Sequence, residues 1–152
     1  MNIEDFPYPI CFSTADIIPI KNGGIFLARK LSETQYRMVG GFQNPGEIRI
    51  ESAAREFQEE TGYSIRTTDL IYFDEFAISD HRYKNSKHGI TTTVFYFYFK
   101  GNVLVPNDDI CEIKYFQFKD FGYNLEKLDE IVVPEHREII GEFIGKICWE
   151  LD

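Results

Sequence analysis

Residues 41–63 carry more information than any other part of this chain. They read Gly-Phe-Gln-Asn-Pro-Gly-Glu (41–47), Ile-Arg-Ile-Glu-Ser-Ala-Ala (48–54) and Arg-Glu-Phe-Gln-Glu-Glu-Thr-Gly-Tyr (55–63). The run from Ile50 to Thr61 has no proline or glycine, and Gly62 follows where a helix would end. The stretch therefore predicts a helix over 50–61. Its apolar and small residues fall on one face that can pack on a core: Ile50, Ala53, Ala54, Phe57 and Thr61.

Another face of that helix is acidic. Glu56, Glu59 and Glu60 stand at positions i, i+3 and i+4, so their carboxylates share one face and repel each other unless a cation neutralises them. Carboxylate oxygens suit a hard divalent ion, and Mg²⁺ held by a few carboxylates commonly binds substrate phosphates as well. Three glutamates alone would be interpreted as a solvated helix face. The upstream Gly41 and Glu47 favour a metal site.

The same stretch resembles the Nudix box: Gly, five residues, Glu, seven residues, then Arg-Glu-apolar-any-Glu-Glu-any-Gly-apolar. Its two apolar positions hold Phe57 and Tyr63, which are bulkier than the usual aliphatic residues, and Ile48 replaces the usual helix-capping Ser or Thr, so the start of the helix stays open. The resemblance implies an α/β fold, the Nudix α/β/α sandwich with a mixed β-sheet between helices, over 1–152 as a single domain. Every fixed position is filled, by Gly41, Glu47, Arg55, Glu56, Glu59, Glu60 and Gly62.

The resemblance also implies the chemistry. Nudix proteins use a divalent metal to hydrolyse nucleoside diphosphates linked to another group, so Mg²⁺ (or Mn²⁺) is the expected cofactor. The expected metal ligands are the backbone oxygen near Gly41 and the side chains of Glu56, Glu59 and Glu60. These three glutamates are catalytic candidates together with Arg55, whose planar fork can hold carboxylates in place.

The base that takes a proton from the attacking water is left open. It is either a carboxylate of the helix or an acidic residue before the strand that ends the sheet, for which Asp109 and Glu112 are the candidates. Taken alone, the run Pro-Asn-Asp-Asp over 106–109 is more simply a turn.

The segment 81–93 resembles a region of one Nudix subgroup. This subgroup contains the Nudix half of bifunctional nicotinamide mononucleotide adenylyltransferases and the related ADP-ribose pyrophosphatases, which carry a basic loop with Arg-Gly before a Thr-rich strand. Here His88-Gly89 stands in place of Arg-Gly. The resemblance implies that Arg82 and His88 contact the substrate, and the alternative is an ordinary solvated loop. Phe42 and Tyr36 are further substrate-binding candidates, although core packing is the favoured role of Tyr36.

ADP-ribose, cleaved to AMP and ribose 5-phosphate, is therefore the expected substrate. Two alternatives stay open. One is a pyrophosphohydrolase for oxidised or non-standard nucleoside triphosphates, and the other is a non-catalytic sensor that binds ADP-ribose. The intact box and the lack of an added DNA-binding domain disfavour the sensor.

Composition narrows the class of partner. The chain has 152 residues and a formal net charge of −9, which disfavours binding to a nucleic-acid backbone and leaves a small nucleotide as the expected partner. Three cysteines without metal-type spacing predict reduced thiols in the cytoplasm. No signal peptide or membrane span is expected. Residues 1–12 are predicted to form an irregular arm that lies on a surface, and a homodimer with the arm on its second subunit stays open.

Periodicity and turn residues predict the remaining elements. A hairpin is expected around Asn22-Gly23-Gly24, a final helix opens at Pro134, and residues 123–130 have modest helical spacing. The predicted strands cover 13–20, 25–29, 36–39, 65–68, 70–78, 90–100 and 114–119.

Overall fold

The computed structural model describes residues 5–79 and 86–151, with side chains up to residue 147. Two short 3-10 turns, Thr67–Asp69 and Phe118–Phe121, lie between the main elements. The strands are β1 (Cys11–Lys21), β2 (Gly24–Lys30), β3 (Val39–Phe42), β4 (Ile71–Ile78), β5 (Gly89–Tyr98) and β6 (Ile110–Gln117). The helices are α1 (Arg49–Thr61), α2 (Leu128–Ile131) and α3 (Pro134–Leu151).

The six strands form one mixed sheet in the order β4-β5-β1-β2-β6, with β3 paired to β1 off this path. The central pair, β1 and β5, is parallel from Cys11↔Gly89 to Ile20↔Tyr98, and the other pairs are antiparallel. β1 and β2 form the predicted hairpin. Parallel pairing places both β1 and β5 in the buried centre of the sheet, which explains their long apolar runs.

Helices cover both faces of the sheet. Successive side chains of β1 point to opposite faces and so pack against different helices. Ile17 packs with Phe57 of α1 in one apolar cluster, whereas Ile18 packs with Phe143 of α3 in the other. The predicted α/β/α sandwich with a mixed sheet is therefore confirmed, and α1 lies fixed against the sheet.

Several predicted boundaries were wrong. The strand expected over 36–39 is β3 at Val39–Phe42, because Tyr36 and Arg37 make only isolated bridges to Val132 and Ala28. The strand expected over 65–68 is replaced by a 3-10 turn, and β6 begins at Ile110 instead of Lys114. Of the helical segment expected over 123–130, only α2 is helical. The segment 65–68 leads into that 3-10 turn through local hydrogen bonds, from the Asp69 N–H to the Arg66 carbonyl and from the Leu70 N–H to the Thr67 carbonyl.

The arm predicted over 1–12 gives way to β1 at Cys11, and residues 6–10 form no helix or strand. Its contact with a second subunit stays a prediction. Within the described residues, no helix is long and apolar enough to cross a membrane.

Candidate active site

The acidic face belongs to a helix with well-defined ends. α1 begins at Arg49 without a Ser or Thr cap, and the Glu51 carboxylate accepts a hydrogen bond from the Ile48 N–H at 3.0 Å instead. At the other end Gly62 takes the left-handed conformation (φ 71°) and donates its N–H to the Gln58 carbonyl. The helix spans the predicted range and starts one residue before it.

Arg55 links the loop before α1 to the carboxylates on the helix. Its guanidinium holds Glu47 by two parallel hydrogen bonds, Nε to Oε2 at 2.7 Å and Nη2 to Oε1 at 3.1 Å. It also donates to the Phe42 carbonyl at 3.0 Å, to Glu56 Oε1 at 3.0 Å and to Glu59 Oε2 at 3.2 Å. Arg55 therefore occupies the orienting position that the sequence predicted, with its donors turned toward protein groups.

Glu47 is the anchor of this network. The Arg55 guanidinium, followed by the Asn44 N–H, lowers the pKa of Glu47 to about 2, and the Ser52 hydroxyl donates to the same carboxylate at 2.9 Å. Glu47 is thus ionised at neutral pH and committed to hydrogen bonds within the protein. It fixes Arg55 in place.

Arg55→Lys should lower kcat several-fold more than it raises KM, because a lysine cannot hold Glu47 bidentately while also reaching Glu56 and Glu59. Steady-state kinetics with the best substrate measures both parameters. An increase in KM with unchanged kcat would show instead that Arg55 binds substrate.

Two further carboxylates belong to α1, one half-buried (Glu56) and one buried (Glu60). Glu60 is only 7% exposed, and burial, followed by the charges of Glu56 and Asp109, raises its pKa to about 8 although the Gly40 N–H donates to it. Burial is also the main cause that raises the pKa of Glu56. At neutral pH Glu60 therefore resists ionisation unless positive charge arrives nearby.

Asp16 of β1 is a buried carboxylate that the sequence analysis did not assign to the site. It is 6% exposed, and burial raises its pKa to about 6 against the opposing hydrogen bond from the Thr92 hydroxyl. The available signal was a charged residue inside the apolar run Ala15-Asp16-Ile17, which a buried strand rarely contains.

These carboxylates surround a cleft of ≈ 410 Å³. Gly41 and Phe42 line it, so the structure brings these two predicted residues to the same place as Glu56 and Glu60. Glu59, the third predicted metal ligand of the helix, does not line the cleft, and its side chain is half-exposed. The polar residues that line the cleft are Thr14, Asp16, Lys30, Arg37, Asn44, Glu56, Glu60, Asp108, Asp109, Glu135 and His136.

The two candidate bases differ in position. Asp109 lines the cleft and pairs with Lys30 at 3.4 Å. Glu112 does not line it: its carboxylate accepts hydrogen bonds from Arg29 Nε at 3.2 Å and from the Tyr36 hydroxyl. The Tyr36 ring packs edge-on against Phe116 at 5.0 Å, in agreement with its favoured core role. The geometry favours Asp109 over Glu112 and places Tyr36 outside the cleft.

His88 has a structural partner. It is 4% exposed, and its Nδ1 accepts a hydrogen bond from the Ile10 N–H at 2.9 Å, while the Gly89 N–H donates to the Ile10 carbonyl. Its ring lies edge-on to Phe12. His88 therefore joins the segment before β1 to the start of β5, a contact across 78 residues that no local pattern indicates. Arg82, the other predicted contact, lies outside the described residues.

His88 also borders a second, larger cavity of ≈ 830 Å³. The two cavities share the lining residues Ile78, Ile90 and Glu135, so they are adjacent, and the pair is called the groove below. Between them lies an ion-pair network that the sequence did not reveal: Arg37 binds Glu33 at 2.6 Å and Glu135 at 3.1 Å. The groove provides an acidic end near α1 and a more apolar end near the start of α3.

The donor groups of the acidic end suit Mg²⁺ or Mn²⁺. A Cβ atom at Gly41 would stand 2.5 Å from Glu56 Cδ, so glycine allows the backbone and this carboxylate to lie side by side. Within 5–79 and 86–147, no three His, Cys, Asp or Glu side chains are already arranged around a common point. Arg55 donates to Glu56 Oε1 and to both oxygens of Glu59, and each ionised carboxylate keeps further lone pairs that can bind a metal.

Residues 12–142 match the family model for the NUDIX domain, and the chain therefore belongs to the NUDIX domain family. The class of enzyme that this match supports is a Nudix pyrophosphohydrolase. No curated protein matches the chain.

Solved structures that resemble the chain share its fold. A bifunctional NMN adenylyltransferase/ADP ribose pyrophosphatase from Francisella tularensis, complexed with AMP and a Mn ion, is 19% identical with a TM-score of 0.66, covering 93% of this chain and 43% of that one. A MutT/nudix family protein from Enterococcus faecalis is 21% identical with a TM-score of 0.60, covering 76% and 46%. The MutT protein from Methanosarcina mazei Go1 is 16% identical with a TM-score of 0.66, covering 93% and 97%. This chain thus spans less than half of the length of the proteins from Francisella tularensis and Enterococcus faecalis.

Proposed function

We propose that this chain hydrolyses the diphosphate bond of a nucleoside diphosphate linked to another group, with ADP-ribose cleaved to AMP and ribose 5-phosphate as the best single substrate. The observation that carries the proposal is the buried carboxylate of Glu60, placed beside Glu56 and Asp109 at the acidic end of an open groove. Buried like charges of this kind are retained where function requires them.

Each residue has a proposed role. Glu56, Glu59 and Glu60, with the Gly41 backbone oxygen, would hold Mg²⁺ or Mn²⁺, which when bound neutralises the diphosphate and lowers the pKa of a bound water. Arg55 orients the glutamates.

Asp109 accepts the proton of the attacking water, and the Lys30 ammonium keeps that carboxylate in the cleft. The water oxygen forms a new bond to one phosphorus as the bond from that phosphorus to the bridging oxygen breaks, which leaves two monophosphates.

The larger end of the groove is proposed to hold the part of the substrate beyond the diphosphate. Its ≈ 830 Å³ suits a nucleoside, and Ile78, Ile90 and Val133 supply apolar surface. The subgroup resemblance over 81–93 supports ADP-ribose. An oxidised or non-standard nucleoside triphosphate stays the second candidate, because the sequence left it open.

The extent of the domain, the cellular compartment and the kind of partner are proposed from the sequence. We treat 1–152 as one Nudix domain, of which 12–142 match the family. Cys11 and Cys111 are free thiols, which suits a reducing cytoplasm. The net charge of −9 favours a small nucleotide, brought in with its metal ion, over a nucleic acid.

With Mg²⁺ or Mn²⁺, ADP-ribose should be hydrolysed with a kcat/KM at least about tenfold above those of 8-oxo-dGTP and GDP-mannose, a difference of about 1.4 kcal/mol in transition-state stabilisation. Chromatographic identification of the products decides this. A triphosphate as the best substrate would overturn the subgroup assignment and keep the Nudix class. Tight ADP-ribose binding without turnover of any compound would favour the sensor.

A further inference from the structure

Two alternate, buried positions of β1, Thr14 and Asp16, form the floor of the acidic cleft. Thr14 and Asp16 are two residues apart on the strand, so their side chains point to the same face of the sheet. The next side chain on that face, Ile18, packs in the apolar cluster with α3, whereas Thr14 and Asp16 line the cleft. Neither residue has a role in the steps proposed above.

The Thr14 hydroxyl is the only buried side-chain nitrogen or oxygen without a hydrogen-bond partner in 5–79 and 86–147. Thr14 is 8% exposed, and Oγ1 itself is shielded from water. The threonines of the neighbouring strand are satisfied, since Thr92 donates to Asp16 and Thr93 donates to Glu75 at 3.2 Å. A buried hydroxyl without a partner costs free energy, which a ligand that reaches it would recover.

Asp16 determines which kind of group fits beside this hydroxyl. Thr92 donates to Asp16 Oδ2, and Oδ1 lies against Gly40, where a Cβ atom would collide with it. A carboxylate attracts hydrogen-bond donors and repels phosphate oxygens. The floor therefore suits an O–H or N–H donor that sits next to the diphosphate.

We propose that Thr14 and Asp16 bind a hydroxyl group of the sugar that adjoins the diphosphate, an assignment that rests on the proposed function. Asp16 borders Gly40, and the Gly40 N–H donates to the Glu60 carboxylate. A single residue, Gly40, therefore separates Asp16 from the proposed metal ligand Glu60. The sugar is the part of a nucleoside diphosphate attached directly to phosphate, and the base extends to the larger cavity. In this assignment Thr14 turns about χ1 to another staggered position, in which its hydroxyl reaches the ligand in the cleft that Thr14 lines.

Thr14→Val tests the site, because valine keeps the shape and removes only the hydroxyl. We expect the Kd of AMP or of ribose 5-phosphate to rise about fivefold in calorimetric titrations with Mg²⁺ present, the size of one neutral hydrogen bond. We expect an unchanged or higher Tm, since no partner is lost. Thr93→Val is the matched control. Thr93 lies on the face of β5 opposite to Thr92 and Asp16, so loss of its hydroxyl should leave both Kd values unchanged.

Analogues identify the contacted group. The effect of Thr14→Val should vanish for 2′-deoxy-AMP, 3′-deoxy-AMP or 2-deoxyribose 5-phosphate, whichever lacks the bound hydroxyl, and should persist for IMP. Four outcomes would each overturn the inference. Two concern Thr14→Val binding: Kd values equal to those of the wild type, or an effect that vanishes only with IMP. The other two are a fall in the Tm of Thr14→Val and no binding of either product to the wild type. Because products are not hydrolysed, these outcomes are independent of whether ADP-ribose is turned over, which tests the proposed function alone.

Discussion

Glu59→Gln should lower kcat by on the order of 10²-fold or more and leave Tm close to the wild-type value. The side chain of Glu59 is 49% exposed, and the ion pair and hydrogen bonds it makes are to Arg55. Its amide replacement can still accept a hydrogen bond from Arg55, so the fold loses little. What disappears is one negative charge where the proposed metal and diphosphate meet. Kinetics at saturating substrate and metal, together with thermal unfolding, measures the two effects.

Glu51→Gln provides the matched control for this substitution. Glu51 belongs to the same helix, is exposed and accepts its hydrogen bond from the Ile48 N–H, a role that a glutamine oxygen also fills. Its kcat should be unchanged. Comparable activities for folded Glu59→Gln and wild type would remove Glu59 from the proposed metal site, whereas equal losses in both variants would indicate a nonspecific effect of charge on α1.

The helix and its acidic face could be predicted because both depend on local spacing. Glu56, Glu59 and Glu60 share a face in any helix that spans 50–61, and a left-handed residue at Gly62 ends that helix. Arg55 was predicted to hold carboxylates in place, and Glu59 lies one helical turn after it. Family resemblance added Glu47, which is too far along the chain for helical periodicity to place. These features required no knowledge of the rest of the fold.

The groove beyond α1 could not be predicted, because its residues meet only through sheet pairing and helix packing. Asp16 comes beside Gly40 through the β1–β3 pairing, and His136 reaches the cleft from α3. His88 was predicted from a motif to contact substrate, which stays a prediction, whereas the hydrogen bond from the Ile10 N–H to its Nδ1 was not predicted. A short motif indicates which residue types are present, but long-range contacts decide their partners.

The acidic end of the groove holds more negative charge than the protein alone can stabilise. Glu60 and Asp16 both have raised pKa values because they are buried, and the nearby cations are already paired, Lys30 with Asp109 and Arg37 with Glu33. Proton uptake and metal binding are therefore alternative ways to neutralise this region. The free energy of unfolding should depend on both pH and metal.

Without metal, Tm should fall by on the order of 10 °C as the pH is raised from about 5 to about 8.5, and Glu60→Gln should remove most of this fall. The pKa of Glu60 is about 8 in the folded protein and near 4.5 when unfolded, so the folded state binds the proton more tightly. Its contribution to stability is complete below the unfolded pKa and is lost as the pH rises through the folded pKa. For a shift of this size the loss is a few kcal/mol. The raised pKa of Asp16, about 6, acts in the same direction.

Mg²⁺ should reverse the effect, because a cation favours the ionised carboxylate. The increase in Tm on adding Mg²⁺ should be larger at pH 8.5 than at pH 6 in the wild type and much smaller in Glu60→Gln at both. Calorimetric scans with chelator and with saturating Mg²⁺ measure all four conditions, and Glu51→Gln should follow the wild-type curves. Parallel pH profiles for chelated wild type and chelated Glu60→Gln would show that Glu60 ionises in the folded protein as it does in the unfolded chain.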